Sequence, residues 1–209
     1  MPHYKLTYFN IMGLAEPIRL MFAQAGVEYE NVMISREEGD TTWAKLKPTT
    51  PYGTLPLLEV DGRVIAQSIA ISNYLAKKFD MNGENEWEAV KAEELVQAMH
   101  DVRQPVRAWW KEKVERKKAE LLKKLESDVV LPFFDRFEKL LAENGTGFFV
   151  GSRITQADLH IFNMLEWWQN NQFFSDVFYN HPKINAFIKK IANMPNIKNW
   201  LEKRPKTAV

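Results

Sequence analysis

The sequence predicts an α/β unit over residues 1–80 followed by an all-α unit over residues 84–209. Three observations support this division. Short alternating apolar runs, which are typical of strands, are concentrated before Ser68. The turn-forming stretch D-M-N-G at positions 80–83 interrupts the pattern. Beyond it, the apolar residues recur at helical spacing. Both predicted units lie within the normal size range of domains.

The chain begins with a strand, a helix and a second strand. Tyr4–Asn10 alternates and is rich in aromatic residues, which favours a strand with Tyr8 at its carboxyl end. A helical stripe runs from Leu14 to Ala25. Pro17 suits the first turn of this helix, where no N–H is needed, and Gly26 suits the position just after it. Glu28–Ile34 is the second strand. Two strands joined by a helix are expected to be parallel, and open α/β sheets bind ligands beyond the carboxyl ends of their strands.

A hairpin is predicted next. Two apolar runs, Leu55–Val60 and Arg63–Ala66, flank an Asp-Gly pair at positions 61 and 62. Asp-Gly between such runs is a strong signal for a type I′ turn, because both central residues need positive φ. Pro56 has no N–H to give to a neighbouring strand, so we expect it at the start of the first run.

The hairpin leads into a helix predicted over Ile69–Phe79. Ser68 is a candidate N-cap, and a helix start attracts carboxylates. The stretch from Pro51 to Ser68 therefore combines an extended backbone edge with an anion site, which suits a small peptide with a free carboxylate. A surface hairpin followed by a capped helix explains the same residues without any ligand.

The second unit is predicted to consist of helices throughout. Long helical patterns cover Glu84–Trp110 and Val114–Asn144, with a bend expected at Pro105 and a bend or break at Pro132. A capping box, T-Q-A-D at positions 155–158, opens another helix. Two further helices are predicted to begin near Pro182 and Pro195.

Composition narrows the classes of function. The net charge of +1 gives no overall field to attract nucleic acid or a membrane surface. The chain has no cysteine, so sulfur chemistry requires a sulfur-containing ligand. The four histidines lack metal-ligand spacing, and we expect no metal to be required. The first residues do not resemble a signal peptide, and a cytoplasmic location is expected.

Five motifs occur in order: Y-K-L-T-Y-F-N, G-L-A-E-P-I-R, Y-G-T-L-P-L-L-E-V-D-G, A-Q-S-I-A-I-S-N-Y-L-A and I-T-Q-A-D-L. In this order and spacing they resemble the cytosolic glutathione transferases, over nearly the whole chain. The resemblance implies a thioredoxin-like α/β domain over residues 1–80 and an all-α domain over residues 84–209. The tyrosine at position 8 is similar to that of the sigma class, in particular the nematode enzymes and the haematopoietic prostaglandin D synthases.

The resemblance also implies a glutathione site and a homodimer. The Leu55–Pro56 bond is expected to be cis, with the backbone before Pro56 pairing with the cysteinyl unit of glutathione. Gln67 and Ser68 are implied to bind the γ-glutamyl carboxylate. The full implied set is Tyr8, Trp43, Lys47, Thr54, Leu55, Pro56, Gln67 and Ser68, together with Asp101 contributed by the neighbouring subunit.

Tyr8 is the implied catalytic residue. Only the thiolate of glutathione is a good nucleophile, and a phenolic O–H that donates to the sulfur favours the anion. The thiolate would then attack a hydrophobic electrophile. The alternative is a buried strand tyrosine with a purely structural hydrogen bond. Many sigma-type sequences carry arginine where this chain has Leu14. Either the Tyr8 hydroxyl and the backbone suffice, or another residue such as Arg19 substitutes.

The electrophile pocket is implied by position alone. Its candidates are Phe9, Met12, Gly13, Arg103, His160 and Met164, with C-terminal residues near Val209. Four functions remain open: detoxifying conjugation, glutathione-dependent prostaglandin D synthesis, carriage of haem or other hydrophobic anions, and a descendant without activity.

Overall fold

The structure is a computed structural model, and it describes residues 2–37 and 40–207. The predicted pocket contribution near Val209 lies at the edge of this range, and Val209 itself is outside the described residues. The chain divides into two compact units. One extends through Met81 and includes the chain from Met194 onward, and the other comprises Asn82–Asn193.

A four-stranded mixed sheet forms the centre of the first unit. The strands are β1 (Tyr4–Phe9), β2 (Glu30–Ile34), β3 (Leu57–Val60) and β4 (Arg63–Ala66), in the order β2-β1-β3-β4. β1 is parallel to β2, as predicted for two strands joined by a helix, and antiparallel to β3. Alternate β1 residues Tyr4, Leu6 and Tyr8 are buried on one face.

The predicted hairpin is confirmed. β3 and β4 are antiparallel, and both turn residues, Asp61 and Gly62, have positive φ, at 47° and 81°. These are the backbone conformations for which Asp-Gly is selected. The Asp61 carboxylate also accepts a hydrogen bond from the His3 N–H at 2.9 Å, which ties the turn to the chain start.

Three helices and a 3₁₀ turn complete the first part of this unit: α1 (Glu16–Ala25), α2 (Thr42–Leu46), the 3₁₀ turn Lys47–Thr49, and α3 (Ser68–Lys78). α1 has Pro17 in its first turn and ends at Gly26, which has φ 65°. Both features are as predicted, because proline needs no N–H donor there and glycine tolerates the left-handed region. α2 was missed, since Ser35–Pro48 lacks an apolar stripe.

The second unit is helical in the part of the chain that the structure describes. Its helices are α4 (Glu86–Lys111), α5 (Glu115–Leu125), α6 (Leu131–Asn144), α7 (Gln156–Asn170), α8 (Ser175–Tyr179) and α9 (Pro182–Ala192). α4 packs against α7, and α9 packs against α6 and α7. Trp168 is fully buried here, surrounded by phenylalanine rings.

Pro105 and Pro132 have different consequences. Pro105 lies inside the continuous helix α4. Before Pro132, a π turn over Glu126–Val130 joins α5 to α6. Proline lacks the N–H that an α-helix would need, and a wider turn is one way for a helix to accommodate the lost hydrogen bond. The expected break at Pro132 is therefore a local widening.

The predicted capping box at α7 is present and buried. The Asp158 carboxylate accepts the Thr155 N–H at 2.7 Å and the Thr155 hydroxyl at 2.9 Å. It also accepts the Phe149 N–H at 2.9 Å. Burial raises the pKa of Asp158 to about 6, although these hydrogen bonds act in the opposite direction. Asp158 thereby fixes both the start of α7 and the segment before it.

The last helix, α10 (Pro195–Lys203), belongs with the first unit by its contacts. Ile197 is fully buried, and Asn196 donates to the Gln24 carbonyl oxygen at 3.1 Å. Our sequence analysis placed this helix in the all-α domain of residues 84–209, because helical periodicity does not reveal which unit a helix packs on. As folding domains, residues 1–80 and 84–209 stay a prediction.

Candidate active site

The sheet register brings three predicted site segments to one edge. Thr7 of β1 pairs with Leu57 of β3, and Leu57 pairs with Ala66 of β4. The next residue beyond each pairing is Tyr8, Pro56 or Gln67. The carboxyl ends of β1 and β4 and the start of β3 therefore lie at the same edge. This is the edge at which α/β sheets bind ligands.

Tyr8 is buried at this edge, but its hydroxyl is engaged by the backbone. The oxygen accepts a hydrogen bond from the Leu14 N–H at 3.1 Å. A hydroxyl that accepts one hydrogen bond still has its own hydrogen to donate. Leu14 lacks the charge of an arginine, yet its backbone supplies a donor that orients the phenol. Sequence analysis named the backbone only in general terms, since this contact depends on the loop conformation.

Gly13 allows the loop between β1 and α1 to pass close to the phenol ring of Tyr8. Its φ is +47°, and a Cβ placed there would lie 2.6 Å from the Tyr8 hydroxyl oxygen and 2.8 Å from a ring carbon. Any other residue would push the ring or the loop aside. The contact therefore requires glycine for space as well as for backbone conformation.

Replacing Gly13 with alanine is expected to displace Tyr8 and to lower glutathione-conjugating activity by at least about tenfold, since misplacement of reacting groups is costly. Gly62→Ala is a matched control. Gly62 also has positive φ, at +81°, but nothing lies within 4 Å of its Cβ position. Both variants lose about 1 kcal/mol of stability to backbone strain. Steady-state kinetics measure the activities of both variants. An equal loss of activity in Gly13→Ala and Gly62→Ala would contradict this interpretation.

Gln67 and Ser68 lie at the start of α3. Gln67 is the N-cap residue, with φ 73° and ψ 115°, and Ser68 is the first helical residue. Ser68 as the N-cap was therefore wrong by one position, because the positive φ at Gln67 ends the strand immediately before it. Gln67 makes no capping hydrogen bond through its side chain. The first N–H groups of this helix can therefore serve an anion.

The segment before β3 has the expected backbone form. The Leu55–Pro56 peptide bond is cis, as the resemblance implied. Leu55 and Pro56 are buried, whereas the neighbouring Thr54 is exposed. These three residues lead into the edge of the sheet that also carries Tyr8.

Trp43 and Lys47 lie in or beside α2. Trp43 is half-buried, and its ring contacts that of Phe9 edge-on, with centroids 5.4 Å apart. Lys47 is exposed, and its side chain passes 3.5 Å from the Cβ position of Gly53. Phe9 itself contacts Tyr8, with ring centroids 5.7 Å apart. A chain of aromatic contacts thus connects Trp43 to the catalytic candidate.

The remaining candidates lie in the helical unit. Burial, together with the nearby charge of Arg103, lowers the pKa of His160 to about 3, so its imidazole is neutral near neutral pH. Met164 is buried one helical turn after His160 on α7. Asp101 is exposed on α4. Phe9, Met12 and Gly13 belong to the other unit, and the pocket that the two sets would form together stays a prediction.

Sequence analysis missed a buried polar cluster behind Tyr8. Glu16 and Arg19 of α1 form an ion pair at 3.1 Å, and Trp200 and Arg204 at the chain end also bond to Glu16. A glutamate and an arginine three residues apart in an apolar helix were the available signal. Their distant partners leave no local pattern.

Comparisons with known proteins agree with this geometry. Residues 4–77 match the family model of the glutathione S-transferase N-terminal domain, and residues 100–204 match that of the glutathione S-transferase C-terminal domain. The chain belongs to the glutathione S-transferase family. The predicted fold, a thioredoxin-like domain with an all-α partner, and the predicted enzyme class are thereby confirmed. Glutathione is the co-substrate of this family.

Individual relatives of this glutathione S-transferase cover its full length. Glutathione S-transferase 4 of Caenorhabditis elegans is 39% identical over 100% of both chains. A prostaglandin synthase D of Nilaparvata lugens has a similar structure, with a TM-score of 0.87, 37% identity, and 99% and 100% coverage. The structure of a monomeric glutathione S-transferase of Necator americanus is also similar, with a TM-score of 0.86 and 34% sequence identity over 99% of this chain and 100% of that one.

In the described part of the chain, no helix is both long and apolar enough to span a membrane. Nor do its histidine, aspartate and glutamate side chains form a group of three that could hold a metal ion.

Proposed function

We propose that this transferase activates glutathione through Tyr8. The phenolic hydroxyl, oriented by the Leu14 N–H, donates to the sulfur and stabilises the thiolate. The thiolate then attacks a hydrophobic electrophile directly, so that no covalent enzyme intermediate is required. The observation that carries the proposal is the register that aligns Tyr8, Pro56 and Gln67 along one sheet edge.

The rest of glutathione would follow this edge. The backbone before Pro56 leads into β3, which pairs with β1, and would meet the cysteinyl unit. The start of α3 offers N–H groups and the favourable end of a helix dipole to the γ-glutamyl carboxylate. Lys47 adds a positive charge for the glycine carboxylate, and Trp43 stands beside Phe9. The thiolate would detoxify hydrophobic electrophiles, and the six electrophile-pocket candidates named from sequence stay predictions.

The finer assignments are part of this proposal. We place the chain in the sigma class, as a cytoplasmic homodimer in which Asp101 reaches the partner's glutathione. The exposed position of Asp101 on α4 is compatible with that role. One structurally similar glutathione S-transferase is described as monomeric, so the oligomeric state of this chain should be measured directly. Sedimentation analysis of the purified chain distinguishes the two states.

Calorimetric titration with glutathione tests the recognition site. Gln67→Ala is expected to weaken glutathione binding about tenfold, as for loss of one hydrogen bond to a charged group. Gln67→Gly is the matched variant, because it also removes the side chain but relieves the positive-φ backbone. Both variants should bind equally weakly while differing in stability. Wild-type affinity in both would refute the role of Gln67, and no binding by the wild type would refute the function.

Prostaglandin D synthesis with glutathione as cofactor is the second candidate. It is supported by the structural similarity to a prostaglandin synthase D at 37% identity. Product analysis with a prostaglandin endoperoxide decides the matter, because absence of the D-series product removes this candidate. Binding of haem or another hydrophobic anion stays a prediction, for which a haem titration monitored by absorbance is the direct test.

A further inference from the structure

Glu16 is a buried carboxylate that connects helix α1 to helix α10 within the first unit. We call Glu16, Arg19, Trp200 and Arg204 the Glu16 cluster. The Glu16 carboxylate accepts from Arg19 Nη1 at 3.1 Å through Oε2, and from Trp200 Nε1 at 2.9 Å and Arg204 Nη1 at 3.1 Å through Oε1. Glu16 is 1% exposed and Arg19 is 3% exposed. Trp200 and Arg204, which are only half-buried, therefore bind the C-terminal helix α10 to a buried carboxylate of α1.

Arg19 also holds the segment that follows Tyr8. Its Nη1 lies 3.0 Å from the Ile11 carbonyl oxygen and 3.4 Å from that of Met12. Its guanidinium carbon lies 6.0 Å from the centroid of the Tyr8 ring. The Arg19 side chain thus contacts both the segment that follows Tyr8 and the Glu16 carboxylate that binds Trp200 and Arg204.

The chain end borders the same loop. The residues that line a cavity of about 10 Å³ include Asn10, Ile11 and Met12, which follow Tyr8, and Arg204 and Thr207 near the chain end. A change at the chain end can therefore reach the loop through direct neighbours as well as through Glu16.

The Glu16 cluster holds two guanidinium groups and one carboxylate. Guanidinium groups stay protonated in proteins, so two positive charges face one carboxylate. The Nε and Nη2 atoms of Arg19 are buried, and neither has a hydrogen-bond partner among the described residues. A poorly solvated charge acts over a longer range than one in water. Of the two guanidinium groups, that of Arg19 lies beside Tyr8, with its carbon 6.0 Å from the centroid of the ring.

We propose that Arg19 is a positioning residue that stabilises the thiolate at Tyr8 electrostatically, and that Trp200 and Arg204 of the chain end adjust this effect through Glu16. Arg19 touches neither glutathione nor the reacting atoms in this scheme. The proposal rests on the proposed function of Tyr8, and adds to it a dependence of thiol ionisation on the C-terminal helix.

Two other ionisable side chains, Tyr29 and Arg36, lie near the Glu16 cluster or the segment around Tyr8. Burial raises the pKa of Tyr29, which lies just before β2. The charge of Arg19 acts to lower this pKa, and that of Glu16 acts to raise it. The phenol of Tyr29 is therefore neutral over the useful pH range. The guanidinium carbon of Arg36 lies 5.5 Å from the Phe9 ring centroid.

The test is a pH titration of thiolate ultraviolet absorbance for glutathione bound to the intact protein. Arg19→Met should raise the thiol pKa by about one unit, and Arg19→Lys, which keeps the charge, should raise it less. Arg204→Gln should raise it by about half a unit. Glu16→Gln removes the negative charge and should lower it. A purely structural role would not make the sign of the shift follow the charge of the cluster.

Lys203→Gln is the matched control for Arg204→Gln. It removes the same charge one residue earlier, from an exposed side chain that makes no bond to Glu16. Circular dichroism should first establish that each variant folds. If Arg19→Met or Glu16→Gln does not fold, the comparison of Arg204→Gln with Lys203→Gln decides, because Arg204 lies at the edge of the cluster.

The outcomes separate this inference from the proposed function. If Arg204→Gln and Lys203→Gln give the same thiol pKa, the coupling to the chain end is wrong. If a folded Arg19→Met protein keeps the wild-type thiol pKa, the electrostatic role of Arg19 is wrong. In either case the proposed function stands as long as Tyr8→Phe alone raises the thiol pKa. If Tyr8→Phe has no effect, the proposed function itself fails.

Discussion

Replacing Tyr8 with phenylalanine is expected to lower kcat/KM for glutathione conjugation about 10- to 100-fold. The substitution removes a hydrogen bond to a charged sulfur, which contributes about 1.5–3 kcal/mol. The loss should appear in kcat/KM for a chloronitrobenzene electrophile at neutral pH and should become smaller at high pH, where free thiol ionises unaided. The Leu14 N–H also loses its acceptor, so stability should fall by about 1 kcal/mol.

Tyr4→Phe is the matched control for this experiment. Tyr4 is also a buried tyrosine on the same face of β1, but it packs between Phe22 and Phe79. Its variant should keep conjugating activity within about twofold of the wild type, as expected for a site away from the chemistry. If Tyr8→Phe retains full activity with several electrophiles, Tyr8 is a structural tyrosine and the mechanism is wrong.

Replacing Asp158 with alanine is expected to destabilise the helical unit by about 2–4 kcal/mol. The carboxylate accepts three hydrogen bonds, from the Thr155 N–H, the Thr155 hydroxyl and the Phe149 N–H. Its removal leaves two backbone donors buried without their acceptor, which is among the costlier kinds of substitution. Urea unfolding followed by far-ultraviolet circular dichroism measures the change.

Asp128→Ala provides the comparison for Asp158→Ala. Asp128 is an exposed aspartate of the same unit that accepts a hydrogen bond from the Ser127 hydroxyl. Its removal should change the free energy of unfolding by no more than about 0.5 kcal/mol. Equal effects of the two substitutions would show that the capping box contributes little to the stability of this unit.

The sequence predicts the sheet well because its signals are local. Strand alternation, the Asp-Gly turn and Pro56 at a strand start each follow from the needs of a few neighbouring residues. The capping box at Thr155 is local in the same sense and is confirmed. Motif order then identified the family. The chemistry assigned to Tyr8 depended on that resemblance, since a buried strand tyrosine has no distinctive local pattern.

The features that were missed depend on contacts between distant residues. Trp200 and Arg204 bind Glu16 although they lie 184 and 188 positions further along the chain. Helical periodicity predicted α10 but could not indicate that it packs on α1. The Leu14 N–H was not identified as a donor to Tyr8, because that contact depends on the left-handed backbone of Gly13. Such features require the fold before they can be seen.

A crystal structure with glutathione bound tests the central claim most directly. The account predicts that the sulfur lies within hydrogen-bond distance of the Tyr8 hydroxyl, with the γ-glutamyl carboxylate at the start of α3 beside Gln67 and Ser68. A glutathione molecule bound with its sulfur away from Tyr8, or with that carboxylate away from α3, would contradict it.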